Sequence, residues 1–304
     1  MNKLLAAILL ALLLFGCRGQ RQEQLLVGII QPSIDHLPFS LAQEQGALPA
    51  RAYRTISFTS GWELNEALCA GRVDVAILPF SYVWNAVAAG YPVKTVSFLE
   101  RETDAVIAIP EIASAQELKG RRVGLLKAST LDLLWRDYAQ EQGIEVEPVY
   151  FRSPNELIAA LQRGDIAAAS LYEPLITRLK NEFKVLHWYG ERHPGHPCCD
   201  VAVNRASLNP AKTILLKELL ATLSDISDGN SEPDSAVLDY VSRRYGLDEA
   251  GAGEALRRSG FQTGLQEEGI QFERQMMLIA LQQGYLKRIP EVSEVFWDME
   301  ADQP

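Results

Sequence analysis

The sequence predicts an α/β fold of two lobes, each a mostly parallel sheet flanked by helices. Short β-rich runs alternate with helical patterns from Leu25 to Asn204. Helix after helix stops at a glycine, as at Gly46, Gly71, Gly90 and Gly143. The alternation also runs through two series of similar plan, and strands separated by helices read as βα units of a parallel sheet.

In the first series Leu25–Gln31 reads as a strand, and the following helix runs through Leu41–Gln45 and stops at Gly46. Arg54–Thr59, Val73–Leu78 and Val93–Leu99 read as strands, with helices over Trp62–Ala70 and Tyr82–Ala89 between them. Ala105–Pro110 is a further strand. The second series sets strands at Arg122–Leu126, Val146–Phe151, Ile166–Ser170, Lys184–Trp188 and Asp200–Asn204. Its helices cover Thr130–Gln142, Asn155–Arg163 and Glu173–Asn181. After Asn209-Pro210 the pattern is helical almost to the end, with breaks at Gly229–Pro233, Gly246 and Gly260–Gly264.

The N-terminus carries an address. Met1-Asn2-Lys3 precedes an apolar run from Leu4 to Phe15, which closes on Gly16-Cys17. That run is shorter than the roughly 20 residues of a membrane-spanning helix and has the three regions of a secretory signal. A cysteine after a small residue at the cleavage point resembles the bacterial lipobox, so Cys17 is expected to be lipidated and to become the new N-terminus. An ordinary signal with an incidental Cys17 is the alternative. Removal of residues 1–16 from the 304 leaves 288 residues, enough for two lobes. The net charge is −10 and no Lys/Arg-rich block occurs, which argues against a nucleic-acid partner. Of four cysteines, Cys69, Cys198 and Cys199 remain beside Cys17, and no disulfide framework is implied.

The two series echo each other in detail. Ala70-Gly71-Arg72-Val73-Asp74-Val75-Ala76 and Gln162-Arg163-Gly164-Asp165-Ile166-Ala167-Ala168 each place a glycine stop and an aspartate before a strand of small apolar residues. Together with Glu117-Leu118-Lys119-Gly120-Arg121-Arg122-Val123-Gly124 and Tyr172-Glu173-Pro174, these motifs make the chain resemble the type II periplasmic solute-binding proteins of ABC importers. The resemblance is to the nitrate/sulfonate/taurine and thiamine-precursor branch, and it runs from about Leu25 to about Tyr285. It implies a ligand cleft that closes between two lobes, two hinge crossings, and C-terminal helices that return to the first lobe. The expected organisation is then a signal over 1–16, a tether over 17–24 and a first lobe over 25–108 and 205–290. The second lobe covers 109–204, and a tail covers 291–304. The partners implied are a small solute, a membrane permease and its ATPase, with a monomeric receptor and no cofactor. An enzyme on the same scaffold, pyrimidine synthase-like or menaquinone-pathway-like, is the alternative, as is a sensing lobe for a separate partner.

Ligands in open α/β sheets bind beyond the carboxyl ends of strands, which selects the candidate contacts. Gln31, Asp35, His36 and Leu37 follow the first strand, where capping of the helix by Ser33 or Asp35 is the alternative to ligand contact. Ser60 and Trp62 follow the second strand, and Phe80 and Ser81 the third; Trp62 and Phe80 offer faces for a planar ligand or else pack between helix and sheet. Lys127, Ser129 and Thr130 open a helix whose N–H groups suit an anion or a carbonyl. Tyr172 and Glu173 follow a strand of the second lobe, and a carboxylate there suits an amine or amino-heterocycle rather than a sulfonate. Within His193-Pro194-Gly195-His196-Pro197-Cys198-Cys199-Asp200, Cys198 is expected at the cleft. The same segment raises a metal set of His193, His196, Cys198 and Cys199, though its spacing fits no common zinc pattern and adjacent cysteines in an extended strand point apart. The solute expected is a small nitrogen heterocycle such as a thiamine-precursor pyrimidine, with a sulfonate, taurine or nitrate-like anion as the alternative.

Overall fold

A computed structural model of the chain describes residues 23–227 and 234–299. The expected signal segment, Cys17, most of the tether and the last residues of the tail lie outside them. Among the described residues, eleven strands divide between two sheets. The first sheet begins with β1 (Leu25–Ile30), β2 (Tyr53–Phe58) and β3 (Val75–Pro79), connected by α1 (Leu37–Glu44) and α2 (Gly61–Cys69). These three strands are parallel, with β1 between its neighbours. After α3 (Phe80–Ala88), β4 (Val93–Arg101) completes this first pass.

The second sheet holds β5 (Asp104–Ala108), β6 (Arg122–Leu126), β7 (Glu147–Phe151), β8 (Ala168–Tyr172) and β9 (Lys184–Trp188), in the order β7-β6-β8-β5-β9. Helices α4 (Thr130–Gln142), α5 (Pro154–Gln162) and α6 (Leu175–Leu179) connect them. The chain returns through β10 (Pro197–Asn204), which pairs antiparallel with both β3 and β4. Helices α7 (Pro210–Ser227), α8 (Ser235–Tyr245), α9 (Glu249–Arg257), α10 (Glu267–Gln282) and α11 (Val292–Val295) follow, with β11 (Gly260–Phe261) at the sheet edge.

Both sheets are therefore mixed, not mostly parallel. β5 is antiparallel to β8 and β9, just as β10 is to its neighbours. The reason lies in the connections. Parallel neighbours require a long crossover on one sheet, whereas β4 passes straight through Glu102-Thr103 into β5 of the other sheet. The crossings also fall earlier than expected: the boundaries at 108 and 204 place β5 in the first lobe and β10 in the second, whereas their pairing puts each in the other sheet. Glu102 sits at φ 63°, a conformation costly for a residue with a Cβ. Its carboxylate accepts from the backbone N–H of Gly195, so the outgoing and returning crossings are tied to each other.

Apolar burial accounts for the layers. Leu216, Leu219 and Leu223 of α7 pack on Leu25, Phe39 and Tyr53, while Tyr240, Val241, Tyr245, Ala252 and Ala255 cover Ile34, Leu37 and Leu41. In α10, Met276, Met277 and Ala280 lie in one cluster with Trp84 of α3 and Leu134 and Trp135 of α4, so this C-terminal helix touches elements of both lobes. Beneath it the Trp84 indole donates to Glu273 at 2.6 Å, and Thr95 donates to Asp200 at 3.0 Å. Burial and the neighbouring Asp200 carboxylate push Glu273 well up, and burial pushes Asp200 up.

Candidate ligand cleft between the lobes

The carboxyl ends of β1, β3, β6 and β8 meet around one cavity, bounded by Ile30, Pro79, Leu126 and Tyr172. The returning strand β10 crosses its floor at Cys198 and Cys199. The cavity measures about 40 Å³, room for about three waters when each needs roughly 10–15 Å³. Helices α2, α3, α4 and α5 all begin at its wall, at Gly61, Phe80 beside Pro79, Thr130 and Pro154. Gly61 is required there, because a Cβ would lie 2.6 Å from the Tyr82 ring.

Polar groups of opposite bias line the same space. Ser60 caps α2 by accepting from the N–H of Glu63, and Ser129 caps α4 by accepting from the N–H of Asp132, each at 3.3 Å. Both serines also face the cavity, so capping and ligand contact are compatible. Asp35, Glu100 and Asp104 supply three buried carboxyl groups. Asp35 is held by the His36 ring at 2.8 Å. Glu100 accepts from the N–H of Thr103 through one oxygen at 3.2 Å, while its second oxygen and Oδ2 of Asp104 have no hydrogen-bond partner. Burial, reinforced by Asp104, pushes the Glu100 carboxyl well above its usual range. Among the described residues, no lysine, arginine or histidine lines the cavity.

Tyr82 and Tyr172 add ring surface, one from each lobe. Burial raises both phenols, with Asp132 acting further on Tyr82 and Asp35 on Tyr172. The two thiols are also raised: Cys198 first by its hydrogen bond with Cys199 and then by burial, Cys199 first by burial.

Of the expected contacts, Asp35, Ser60, Ser129, Thr130, Tyr172 and Cys198 line this cavity. The others do not. Gln31 is exposed, and Trp62 projects into solvent at 58% exposure. Phe80 is fully buried, edge-on to Phe272. Ser81 is buried within α3 and Leu37 lies under α8. His36 stands behind Asp35, 3.3 Å from the Arg244 guanidinium. Lys127 is exposed over the Tyr150 ring. Glu173 turns away to accept from the backbone N–H and the hydroxyl of Thr177 at 3.1 and 2.9 Å. Burial raises its carboxyl to about 7 against those two bonds.

The histidine–cysteine set is not one cluster. His193 pairs with Asp137 at 2.8 Å, and His196 Nε2 lies 3.6 Å from Asp104. The thiols instead group with Glu100. A break in register at Cys198 brings both sulfurs to the cavity, against the expectation that neighbouring side chains diverge. The sequence reading does not single out Tyr82, Glu100, Thr103 and Asp104, and it names Cys199 only in the metal set, not as a cleft contact. The available signal was the run Glu100-Arg101-Glu102-Thr103-Asp104, a charged break between two apolar strands.

The solved structures decide the architecture. The alkanesulfonate-binding protein SsuA from Xanthomonas axonopodis pv. citri, bound to MOPS, superposes with a TM-score of 0.79 at 19% identity, covering 90% of this chain and 98% of that one. The fold is that of the type II periplasmic binding proteins. The periplasmic nitrate-binding protein NrtA from Synechocystis PCC 6803 follows with a TM-score of 0.74 at 14% identity, covering 90% of this chain and 86% of the other. In sequence, residues 58–187 match the family described as NMT1/THI5 like. The taurine-binding periplasmic protein of Escherichia coli (strain K12) is 28% identical over 157 residues, 49% of each chain. The chain thus spans about half the length of this relative.

Proposed function

We propose that this chain is the extracytoplasmic solute-binding component of an ABC importer, not an enzyme, and that it captures a small nitrogen-containing solute. The observation that carries the choice of solute is the trio Asp35, Glu100 and Asp104 around a cavity with no cationic side chain on its wall. Two of their oxygens are buried without a hydrogen-bond partner, the one on Asp104 lying 3.6 Å from His196 Nε2, a state that costs free energy until an N–H donor or a cation arrives. Tyr82 and Tyr172 provide ring faces for a nitrogen heterocycle such as a thiamine-precursor pyrimidine. A solute bridging the two sheets favours the closed arrangement, because only there are both sets of contacts made. A permease with its ATPase then reads the closed form. Cys17 would carry the lipid anchor at the membrane, and replacement by alanine should release the protein from the membrane fraction. The receptor is read as a monomer without a cofactor or nucleic-acid partner.

A second reading has specific support. Four helix N-termini reach the same cavity, and such termini attract negative charge. An aminosulfonate would set its ammonium against the carboxylates and its anionic end against these helices, and a taurine-binding protein is among the sequence relatives. Calorimetry with pyrimidines, simple amines, taurine and ethanesulfonate separates the readings. Binding of the nitrogen solutes, weakened at least about tenfold by Asp104→Asn, is the expected result. Tight binding of ethanesulfonate with no response to amines or pyrimidines would overturn it.

A further inference from the structure

We propose that Cys198, Cys199 and Glu100 form a three-donor site for one thiophilic divalent cation in the floor of the cleft. Two consecutive residues of an ordinary strand send their side chains to opposite faces. Here the partner of Pro197 is Arg101 and the partner of Cys199 is Glu100, so Cys198 is the extra residue of a bulge. Bulges re-aim side chains, and this one turns both thiols to the cavity that Glu100 also lines.

The donor atoms of the three residues lie within 4.8 Å of one another. A tetrahedral zinc with bonds of about 2.3 Å to sulfur and about 2.0 Å to oxygen sets its ligand atoms about 3.5–3.8 Å apart. Rotamer adjustments of about an ångström close that gap. One oxygen of Glu100 is already committed to the N–H of Thr103. That bond orients the carboxyl group, as outer hydrogen bonds do for metal ligands. The other oxygen is buried, unpartnered and free to ligate.

Two sulfurs and one carboxylate select a zinc-like ion over magnesium or calcium, which prefer oxygen alone. Three protein donors leave a fourth position open, and it faces the space where a solute nitrogen would sit. The histidines of the same segment are not part of the set, since His193 is engaged by Asp137 and His196 faces Asp104. The oxygen of Glu100 that lacks a hydrogen bond would thus serve the metal, which leaves Asp35 and Asp104 for the solute.

This inference rests on reading the cavity as a ligand site, yet the two fail separately. The test is titration of the reduced, metal-free full chain with zinc against a chromogenic chelator, and with cobalt followed by its thiolate charge-transfer absorption. One equivalent should bind, with the cobalt absorption present. Cys69→Ser should leave both unchanged, whereas Cys198→Ser and Cys199→Ser should each abolish the absorption. Glu100→Gln, chosen because it keeps the shape of the side chain, should weaken zinc at least tenfold while retaining some absorption. No zinc binding, or one equivalent that survives Cys198→Ser and Cys199→Ser, overturns the metal site. Amine or pyrimidine capture by the metal-free protein would then still support the receptor reading, and its absence alongside intact zinc binding would remove that reading alone.

Discussion

Glu173 separates a ligand contact from a structural carboxyl. The residue is fully buried and accepts from the Thr177 N–H and hydroxyl, and its backbone carbonyl accepts from the N–H of Ile34 in the first lobe. Its carboxyl titrates at about 7 in the folded chain, raised by burial from 4.5. A raised acid binds its proton more tightly when folded, so its contribution to stability is complete below 4.5 and lost as pH rises through 7. At about 1.4 kcal/mol per unit, the difference amounts to roughly 3 kcal/mol. Glu173→Gln removes this titration. Equilibrium denaturant unfolding of the two proteins between pH 4 and 8 should show the wild type losing about 3 kcal/mol relative to the variant. The fixed cost of the substitution cancels, because only the change with pH is compared. Solute affinity should be unaltered, since Glu173 is not at the cavity wall. Parallel stability curves would refute the burial account, and a large loss of affinity would return Glu173 to the cleft.

Three substitutions probe the rest of the site. Gly61→Ala forces a methyl against the Tyr82 ring and should lower solute affinity while costing about 1–3 kcal/mol of stability, measured by calorimetry and thermal melting. Trp62→Ala should change neither beyond about 0.5 kcal/mol, because the indole is in solvent. Tyr285→Phe removes a hydroxyl that donates to Asp132 at 2.7 Å and meets the Tyr150 hydroxyl at 3.0 Å. Loss of a bond to a carboxylate, worth about 1.5–3 kcal/mol, should loosen the C-terminal segment from α4 and raise the radius of gyration of the ligand-free protein by small-angle scattering.

The fold was legible because its signals are local. The helix over Thr130–Gln142 has its Ser129 cap and its left-handed Gly143 stop written into adjacent residues. The wall of the candidate cleft was legible where it follows strands directly, at Asp35, Ser60, Ser129, Thr130 and Tyr172. Errors arose where direction is set at a distance. Trp62 and Phe80 sit at suitable places in the sequence, but helix phase turns one to solvent and the other into the core.

By its own pattern the sequence determined two βα series, the helix caps and the loops from which a cleft is made, since propensity, capping and turn geometry act over a few residues. Only the tertiary structure decided that β5 and β10 exchange sheets, that Glu100 and Asp104 enter the cavity, and that one bulge turns both cysteines to it. Strand pairing joins residues far apart along the chain, and one residue of register reverses which face a side chain occupies.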